Sequence, residues 1–188
     1  MKMDVDHKLV GQMPMELIYN MLDAIKPEDW FTSDYRQTVD NMDDCNTIPI
    51  FHTPLCAVPD CDGKAIKSLR KEKLYDKFYP LLEPILEQLK KHYEFDKYAA
   101  FIARLRPGGV IGEHRDKGSF LETCHRVHVP LRSNPKVRYV IDGESYYWQP
   151  GNIYEFDNTR VHGVYNESED FRIHLVINLY DLENAPIV

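Results

Sequence analysis

The sequence predicts a mainly β protein with flanking helices, and three features of the chain lead to this fold class. Beyond Lys97 the chain consists of short β-branched and aromatic runs, which are typical of strands. Turn sequences such as RPGG, SNP, DG and PG separate these runs. Before residue 97 the apolar residues recur at helical spacing. Seven or eight regularly spaced strands with a helical layer in front predict a jelly roll, the double-stranded β-helix of the cupins.

The first half of the chain contains two predicted helical stretches. PMELIYNMLDAI has apolar residues at helical spacing and Pro14 at a plausible first helical position. The strand-like run TIPIFH follows, and Pro49 restricts it to an edge or an irregular place in a sheet. From residue 64 to residue 93 the pattern is helical again, with a break or kink expected near Pro80 and Pro84.

The second half is predicted to consist of strands. They are KYAAFIARL, RVHVPL, KVRYVID, ESYYWQ, NIYEF, HGVYN and FRIHLVINLYD. VIDGESY predicts a hairpin, because Asp-Gly suits a tight two-residue turn. A length of 188 residues fits a single domain. We expect residues 97–183 to form the catalytic double-stranded β-helix core and residues 1–96 to form a helical or irregular supporting and lid region.

Charge and composition exclude several classes of function. A net charge of -7 argues against a nucleic-acid binder, which needs a basic surface. The N-terminal sequence MKMDVDHKLV has no long apolar run, so we expect neither a signal peptide nor a membrane partner. Four cysteines occur without a CxxC pair, which favours thiols in a reducing, cytoplasmic setting over a zinc site. The oligomeric state does not follow from the sequence.

The stretch GEHRDKG contains the first candidates for chemistry. His114 and Asp116 are two residues apart, so an extended segment presents both side chains on one face. His162 follows the strand-like run NIYEF and supplies a third candidate. Two histidines and one carboxylate form the facial triad of non-haem Fe(II) oxygenases. The competing interpretation is a set of polar residues at glycine-rich turns.

Two Arg-x-His pairs lie on predicted strands beside this trio. In FRIHLVINLY, Arg172 and His174 share one face, and the apolar alternate residues form the other, which is core. Arg126 and His128 repeat this arrangement in HRVHVPL. An arginine fork suits a buried carboxylate, so these residues fit a cosubstrate that ends in a carboxylate. A solvated sheet face is the alternative.

These residues, in this order, resemble the aspartyl/asparaginyl β-hydroxylase family of 2-oxoglutarate-dependent oxygenases, which includes free-proline hydroxylases. The resemblance covers about residues 97 to 183 and rests on GEHRD, RVHVPL, GNIYEFDNTRVHGVYNES and FRIHL. It implies that His114 and His162 are metal ligands and that Arg172 binds the distal carboxylate of 2-oxoglutarate. It also implies that Arg126 and His128 line the cosubstrate pocket.

One departure from the family affects the expected substrate. The aspartyl hydroxylase that names the family has glycine where this chain has Asp116, whereas its proline hydroxylases have the carboxylate. The resemblance therefore implies Fe(II), 2-oxoglutarate and O2, with hydroxylation of an amino-acid side chain, free or in a peptide, and release of succinate and CO2. The carboxylate also argues against halogenation, which needs that position for halide.

Two other functions fit the same residues. A cupin-type metalloenzyme that does not use 2-oxoglutarate is one, because GGVIGEHRD and HGVYN also resemble the two cupin metal motifs, with His128 or His174 then among the ligands. A jelly roll that has no catalytic activity would act only as a binding module. The intact trio disfavours this second alternative, because a decayed site would lose its ligands first.

Overall fold

The secondary structure combines short helices with many strands. The computed structural model describes residues 3–33, 43–52 and 64–181. Its helices are α1 (Met15–Ala24), α2 (Lys64–Lys67), α3 (Tyr75–Leu89) and α4 (Ser119–Glu122), with a 3-10 helix at Pro27–Phe31. Its strands are β1 (His7–Gln12), β2 (Cys45–His52), β3 (Arg70–Lys71), β4 (Lys97–Leu105), β5 (Val110–His114), β6 (His125–Arg132), β7 (Val137–Ile141), β8 (Glu144–Tyr146), β9 (Asn152–Phe156), β10 (His162–Asn166) and β11 (Arg172–Tyr180).

Two antiparallel sheets form the core. The larger has the strand order β1-β9-β6-β11-β4-β2-β3, and the smaller has the order β5-β10-β7-β8. Residues of both sheets share one buried cluster, in which Leu105 of β4 packs with Val137 of β7 and Val164 of β10. The two halves of a jelly roll are formed by four strands of the larger sheet, β9, β6, β11 and β4, and by the four strands of the smaller sheet. The predicted fold class is confirmed.

The predicted hairpin at Asp-Gly joins β7 to β8. Ile141 pairs with Glu144, which leaves a two-residue turn. Asp142 and Gly143 have φ values of 48° and 87°. Two consecutive positive φ angles are what the right-handed twist of a tight hairpin requires. This turn sets the register of the two strands.

Helices α1 and α3 cover the outer face of the larger sheet. Ile18, Phe78 and Leu82 pack there against Val127 of β6 and Leu175 of β11. The burial of this second face supplies much of the hydrophobic stabilisation, because each apolar side chain removed from water contributes roughly 1.5–3 kcal/mol. Of the helices in the described part of the chain, none has the length and apolar composition needed to cross a membrane.

The sequence predicts a break or a kink at the two prolines of α3, and the helix is not broken there. α3 continues through both Pro80 and Pro84. Both prolines are exposed and are four residues apart, so they lie on the solvent face of the helix. Water can bind the carbonyls that lose their intrahelical donors there. The buried face, with Phe78 and Leu82, holds the helix on the sheet.

The segment before residue 97 contains more strand than the helical or irregular region that the sequence predicts. β1 extends one edge of the larger sheet beside β9, and β2 extends the other beside β4. The sequence does not predict β1, because HKLVGQ lacks a regular alternation of apolar and polar residues. In β2 the register shifts between Pro49 and Phe51, at the proline that cannot donate a ladder hydrogen bond.

A buried carboxylate on the outer face of the larger sheet holds β1 in place. Glu155 accepts hydrogen bonds from Tyr93 Oη at 2.8 Å and from His125 Nδ1 at 2.6 Å. Lys8 Nζ of β1 lies 2.7 Å from Oε2, the oxygen to which Tyr93 also donates. Burial alone would raise the pKa of Glu155, but these donors outweigh it and lower the pKa to about 2. The carboxylate is therefore ionised and links four segments of the chain.

The described cysteines and His52 are buried, whereas His92 is exposed. Cys45 and Cys124 are buried, and Cys56 and Cys61 lie outside the described residues. His52 is buried edge-on against Phe101 and Phe120, with ring centroids 5.3 and 6.1 Å away.

Candidate metal centre

His114, Asp116 and His162 meet where β5 ends and β10 begins. His114 is the last residue of β5 and His162 the first of β10, and the antiparallel register places them opposite each other. Their ring centroids are 4.3 Å apart. One donor atom from each of the three side chains lies within 4.8 Å of the other two. No other group of three His, Cys, Asp or Glu residues in the described ranges has this geometry.

Both histidines are oriented by the carbonyl group of the residue two positions earlier in the chain. His114 Nδ1 is 2.8 Å from the carbonyl oxygen of Gly112, and His162 Nδ1 is 2.9 Å from that of Arg160. A carbonyl can only accept, so each Nδ1 carries the proton and each Nε2 keeps its lone pair. This is how ligating histidines are commonly fixed. The two Nε2 atoms are therefore the donors available to an ion.

Asp116 is buried but remains ionised. Burial alone would raise its pKa, yet the charge of Arg126 and the nearby His114 ring hold the pKa far below the ordinary value. Arg126 Nε lies 3.3 Å from Asp116 Oδ2. Asn158 Nδ2 donates to the same oxygen at 3.0 Å. The site therefore presents a carboxylate rather than a carboxylic acid.

The two histidines differ in their electrostatics. Burial lowers the pKa of His162 to about 4, so its imidazole is neutral near pH 7. Burial also tends to lower the pKa of His114, but its contacts with Asp116 and the Gly112 carbonyl raise the pKa overall. Metal ligands must be deprotonated, and a divalent cation competes with that proton. Two imidazole nitrogens and one carboxylate oxygen are the donor set that suits Fe(II) with open positions.

A cavity extends from this trio into the space between the two sheets. Its empty volume is ≈ 540 Å³, including the part open to solvent. His114 and His162 line it together with Arg126, His128 and Arg172. Except for Asp116, the sequence-predicted metal and cosubstrate residues thus line one space.

Arg172 forms a buried polar wall of this cavity. It is 3% exposed, and its Nε donates to Tyr139 Oη at 2.6 Å, with Nη2 also directed at that oxygen. Tyr139 stacks on Trp148 with ring centroids 4.0 Å apart. The tyrosine fixes one edge of the guanidinium and leaves the charge of Arg172 without a carboxylate partner among the described residues. An anionic ligand would satisfy that charge.

Arg126 and His128 lie closer to the metal trio along β6. Arg126 is buried, and its Nη1 donates to Asn178 Oδ1 at 3.0 Å while its Nε faces Asp116. The ring of His128 contacts Phe156 and Trp148, with centroids 5.2 and 5.6 Å away. Arg172 and Asn178 are six residues apart on β11, about 20 Å for an extended strand. Because Arg126 contacts Asn178, the two arginines enter the cavity at different positions along the length of β11.

His174 is not placed as a metal ligand. It is fully buried and lies 3.0 Å from Tyr139 Oη. Burial, followed by the charge of Arg172, lowers the pKa of His174 well below its ordinary value. Its ring centroid is 5.7 Å from that of His128. Among the residues that the structure describes, the alternative pair His128 and His174 has no third ligand comparable to Asp116.

Several site residues escape prediction from the sequence. Tyr139 appears only as one aromatic residue in the alternating strand VRYVI, and Trp148 is expected to serve core or lid packing. Trp148 does pack in the core, and it also lines the cavity. No sequence motif points to Asn158 or Asn178 as site residues. Their positions beside Asp116 and Arg126 depend on contacts between distant segments.

The sequence also matches a known protein family. The sequence profile described as Aspartyl/Asparaginyl beta-hydroxylase matches residues 67–181, more than half of the chain. The chain belongs to the aspartyl/asparaginyl β-hydroxylase family. This resemblance, stated above for residues 97 to 183, is confirmed. Membership in the aspartyl/asparaginyl β-hydroxylase family identifies the protein as a hydroxylase. No curated protein matches the sequence.

Solved structures resemble the whole chain in fold. A Pseudomonas putida prolyl-4-hydroxylase has a TM-score of 0.54 at 12% identity, covering 93% of this chain and 90% of its own. The viral collagen prolyl hydroxylase of Paramecium Bursaria Chlorella virus-1 has a TM-score of 0.52 at 11% identity, covering 93% and 96%. A 2OG-Fe(II) oxygenase family oxidoreductase from Burkholderia pseudomallei has a TM-score of 0.53 at 16% identity, covering 71% and 66%. At these identities the likeness establishes the jelly-roll fold of this family member.

Proposed function

We propose that the protein is an Fe(II)- and 2-oxoglutarate-dependent dioxygenase that hydroxylates an amino-acid side chain, free or in a peptide, with release of succinate and CO2. One observation carries the proposal. The two histidines of a His/Asp/His trio with the donor set of a ferrous site line the same cavity as Arg172, a buried arginine. Family membership as a hydroxylase supports the same chemistry.

His114, Asp116 and His162 would hold the metal ion. The three donors belong to β5, β10 and the segment after β5, and a set of two histidines and one carboxylate would leave positions on the ion open for a cosubstrate and O2. When bound, ferrous iron would supply the reaction of O2 with 2-oxoglutarate and an unactivated C–H bond, giving succinate, CO2 and a hydroxylated product. The carbonyls of Gly112 and Arg160 keep both Nε2 atoms available.

Arg172 would bind the distal carboxylate of 2-oxoglutarate. The guanidinium is removed from bulk water, and a charge-assisted hydrogen bond is strong in such surroundings. Tyr139, which already contacts Arg172, has a hydroxyl within reach of the same carboxylate position. Arg126 and His128 line the cavity nearer to the metal trio and suit the other end of the diacid. Two arginines provide local positive charge in a chain of net charge -7.

The apolar part of the cavity would exclude water from the reacting groups. Ile141, Val164 and Val176 line it between the polar residues. Water-poor surroundings strengthen the contacts of the charged residues and limit side reactions. The amino-acid substrate is proposed from the family resemblance and from the retained carboxylate Asp116.

The experiment that tests this proposal is a screen for succinate. Purified protein receives Fe(II) and 2-oxoglutarate, and succinate is measured with a panel of free amino acids and short peptides. We expect at least one compound to raise succinate formation and to be hydroxylated. The His162→Ala variant is the control that should lose both signals.

The two rival functions give other outcomes. A cupin-type metalloenzyme that does not use 2-oxoglutarate would bind the ion but form no succinate with any member of the panel. A jelly-roll binding module without catalytic activity would form no succinate and would not depend on His162 for ligand binding. Either result would overturn the proposed function.

A further inference from the structure

The turn that follows β9 contacts Asp116 at two points. The backbone N–H of Asp116 donates to the carbonyl oxygen of Asn158 at 3.0 Å. The side-chain Nδ2 of Asn158 donates to Asp116 Oδ2, also at 3.0 Å. Asn158 is fully buried. One residue, 42 positions along the chain, thus holds both the backbone and the carboxylate of a metal-ligand candidate.

The orientation of the Asn158 amide is fixed by its surroundings. Nδ2 donates a second hydrogen bond to the carbonyl oxygen of Leu121 at 2.8 Å. Both neighbours are acceptors only, so a flipped amide would bring oxygen against oxygen. The Oδ1 atom of Asn158 is buried without a hydrogen bond among the described residues. Leaving a buried acceptor unsatisfied is unfavourable, and the two hydrogen bonds that Nδ2 donates offset this cost.

The turn itself is held rigid. Asp157 Oδ1 accepts hydrogen bonds from the backbone N–H of Thr159 at 3.0 Å and from Thr159 Oγ1 at 2.6 Å. The backbone N–H of Asp157 donates to the carbonyl oxygen of Asp6, beside β1. Asn158 between them therefore has a fixed backbone from which its side chain reaches Asp116.

The two oxygens of Asp116 are made inequivalent by these contacts. Oδ2 faces Asn158 Nδ2 and, at 3.3 Å, Arg126 Nε. Oδ1 lies 3.6 Å from His114 Nε2. Arg126 is fixed in turn by Asn178. One oxygen is thus engaged by protein donors, and the other is left for an ion.

We infer that Asn158 is a positioning residue that makes Asp116 a one-oxygen metal ligand. It does not touch the ion and acts through the carboxylate. A carboxylate bound through both oxygens would occupy an additional coordination position on the ion. One fewer position would then be available to the cosubstrate and O2. The inference rests on the metal site of the proposed function and adds a residue that this function does not name.

The test is a double-mutant cycle measured by calorimetric titration of Mn(II) into the full chain. The proteins are the wild type, Asn158→Ala, Asp116→Gly and the double variant. Loss of a residue that orients a metal ligand typically weakens metal affinity about 10- to 100-fold, which we expect for Asn158→Ala. In the Asp116→Gly background the same change should alter affinity by no more than about twofold, because its effect passes through the missing carboxylate.

Controls separate positioning from a loss of stability. Asn166→Ala removes an equally buried asparagine that binds backbone carbonyls at the far end of β10. It should lower the melting temperature and leave Mn(II) affinity unchanged. Asn158→Leu keeps the side-chain volume without the donor and serves if the alanine variant does not fold. It should weaken Mn(II) binding to a similar extent.

The Mn(II) titrations can overturn the inference in three ways. Wild-type affinity in Asn158→Ala or Asn158→Leu would overturn the inference while the metal site stands. An equal loss in both backgrounds would also overturn it, because Asn158 would then act without Asp116. A wild-type protein that binds no Mn(II) would overturn the metal site and this inference together.

Discussion

Replacing Arg172 with alanine should remove the main contact to 2-oxoglutarate and leave the metal site unchanged. Arg172 is 3% exposed and lines the cavity. Tyr139 holds one edge of its guanidinium, so the fork is preorganised for a ligand. Truncation would leave both the ligand carboxylate and the Tyr139 hydroxyl without this partner.

The magnitude follows from the burial of the pair. A hydrogen bond to a charged group contributes roughly 1.5–3 kcal/mol, and an unpaired buried charge adds to the loss. Because each 1.4 kcal/mol corresponds to about tenfold in affinity, Arg172→Ala should weaken 2-oxoglutarate binding by on the order of a hundredfold. Arg172→Lys should recover only part of this loss, since an ammonium keeps the charge but lacks the planar fork.

The assay is titration of 2-oxoglutarate into Mn(II)-loaded wild type and both variants. Arg104→Ala is the matched control, because Arg104 belongs to the adjacent strand β4 but lies over the ring of Trp30 at 4.5 Å. It should bind 2-oxoglutarate as the wild type does. Equal affinities in the wild type, Arg172→Ala and Arg172→Lys would refute the assignment of Arg172 to the cosubstrate.

Three further predictions concern the metal site and stability. Purified protein should bind about one Mn(II) or Fe(II) per chain through His114, Asp116 and His162; unchanged binding by His162→Ala would contradict this. Asp116→Ala should abolish or severely reduce hydroxylation, so near-wild-type turnover would make Asp116 a bystander. Glu155, whose folded pKa is about 2 against an ordinary 4.5, should stabilise the fold fully above pH 4.5 and lose that contribution as pH falls toward 2. This contribution is on the order of 3 kcal/mol, and denaturant unfolding of Glu155→Gln across this range should lack that pH dependence.

The alternation of residues in β11 is a case where the sequence predicts much of the structure. It separates Arg172 and His174 from Ile173 and Leu175, and the structure places them on opposite faces of the strand. It does not reveal that both faces are buried. That depends on the smaller sheet closing over one face and on α1 and α3 covering the other, which are contacts between distant segments.

The candidate site likewise contains some residues that the sequence predicts and others that it does not. His114 and Asp116 follow from a two-residue spacing, and His162 follows from its position at a strand start. The turn residue Asn158 could not be predicted, because its role consists of contacts to residues 42 and 37 positions away. Tyr139 is hidden for a similar reason, since an aromatic residue in a strand usually indicates core packing.

The central claim, that the protein is a 2-oxoglutarate-dependent dioxygenase, is tested most directly by isotope labelling. The protein is incubated with Fe(II), 2-oxoglutarate and 18O2, together with a substrate from the panel, and the succinate is examined by mass spectrometry. The account predicts succinate that carries one 18O atom and a hydroxylated product formed in step with it. Unlabelled succinate, or an ion-loaded protein that forms no succinate with any substrate, would contradict it.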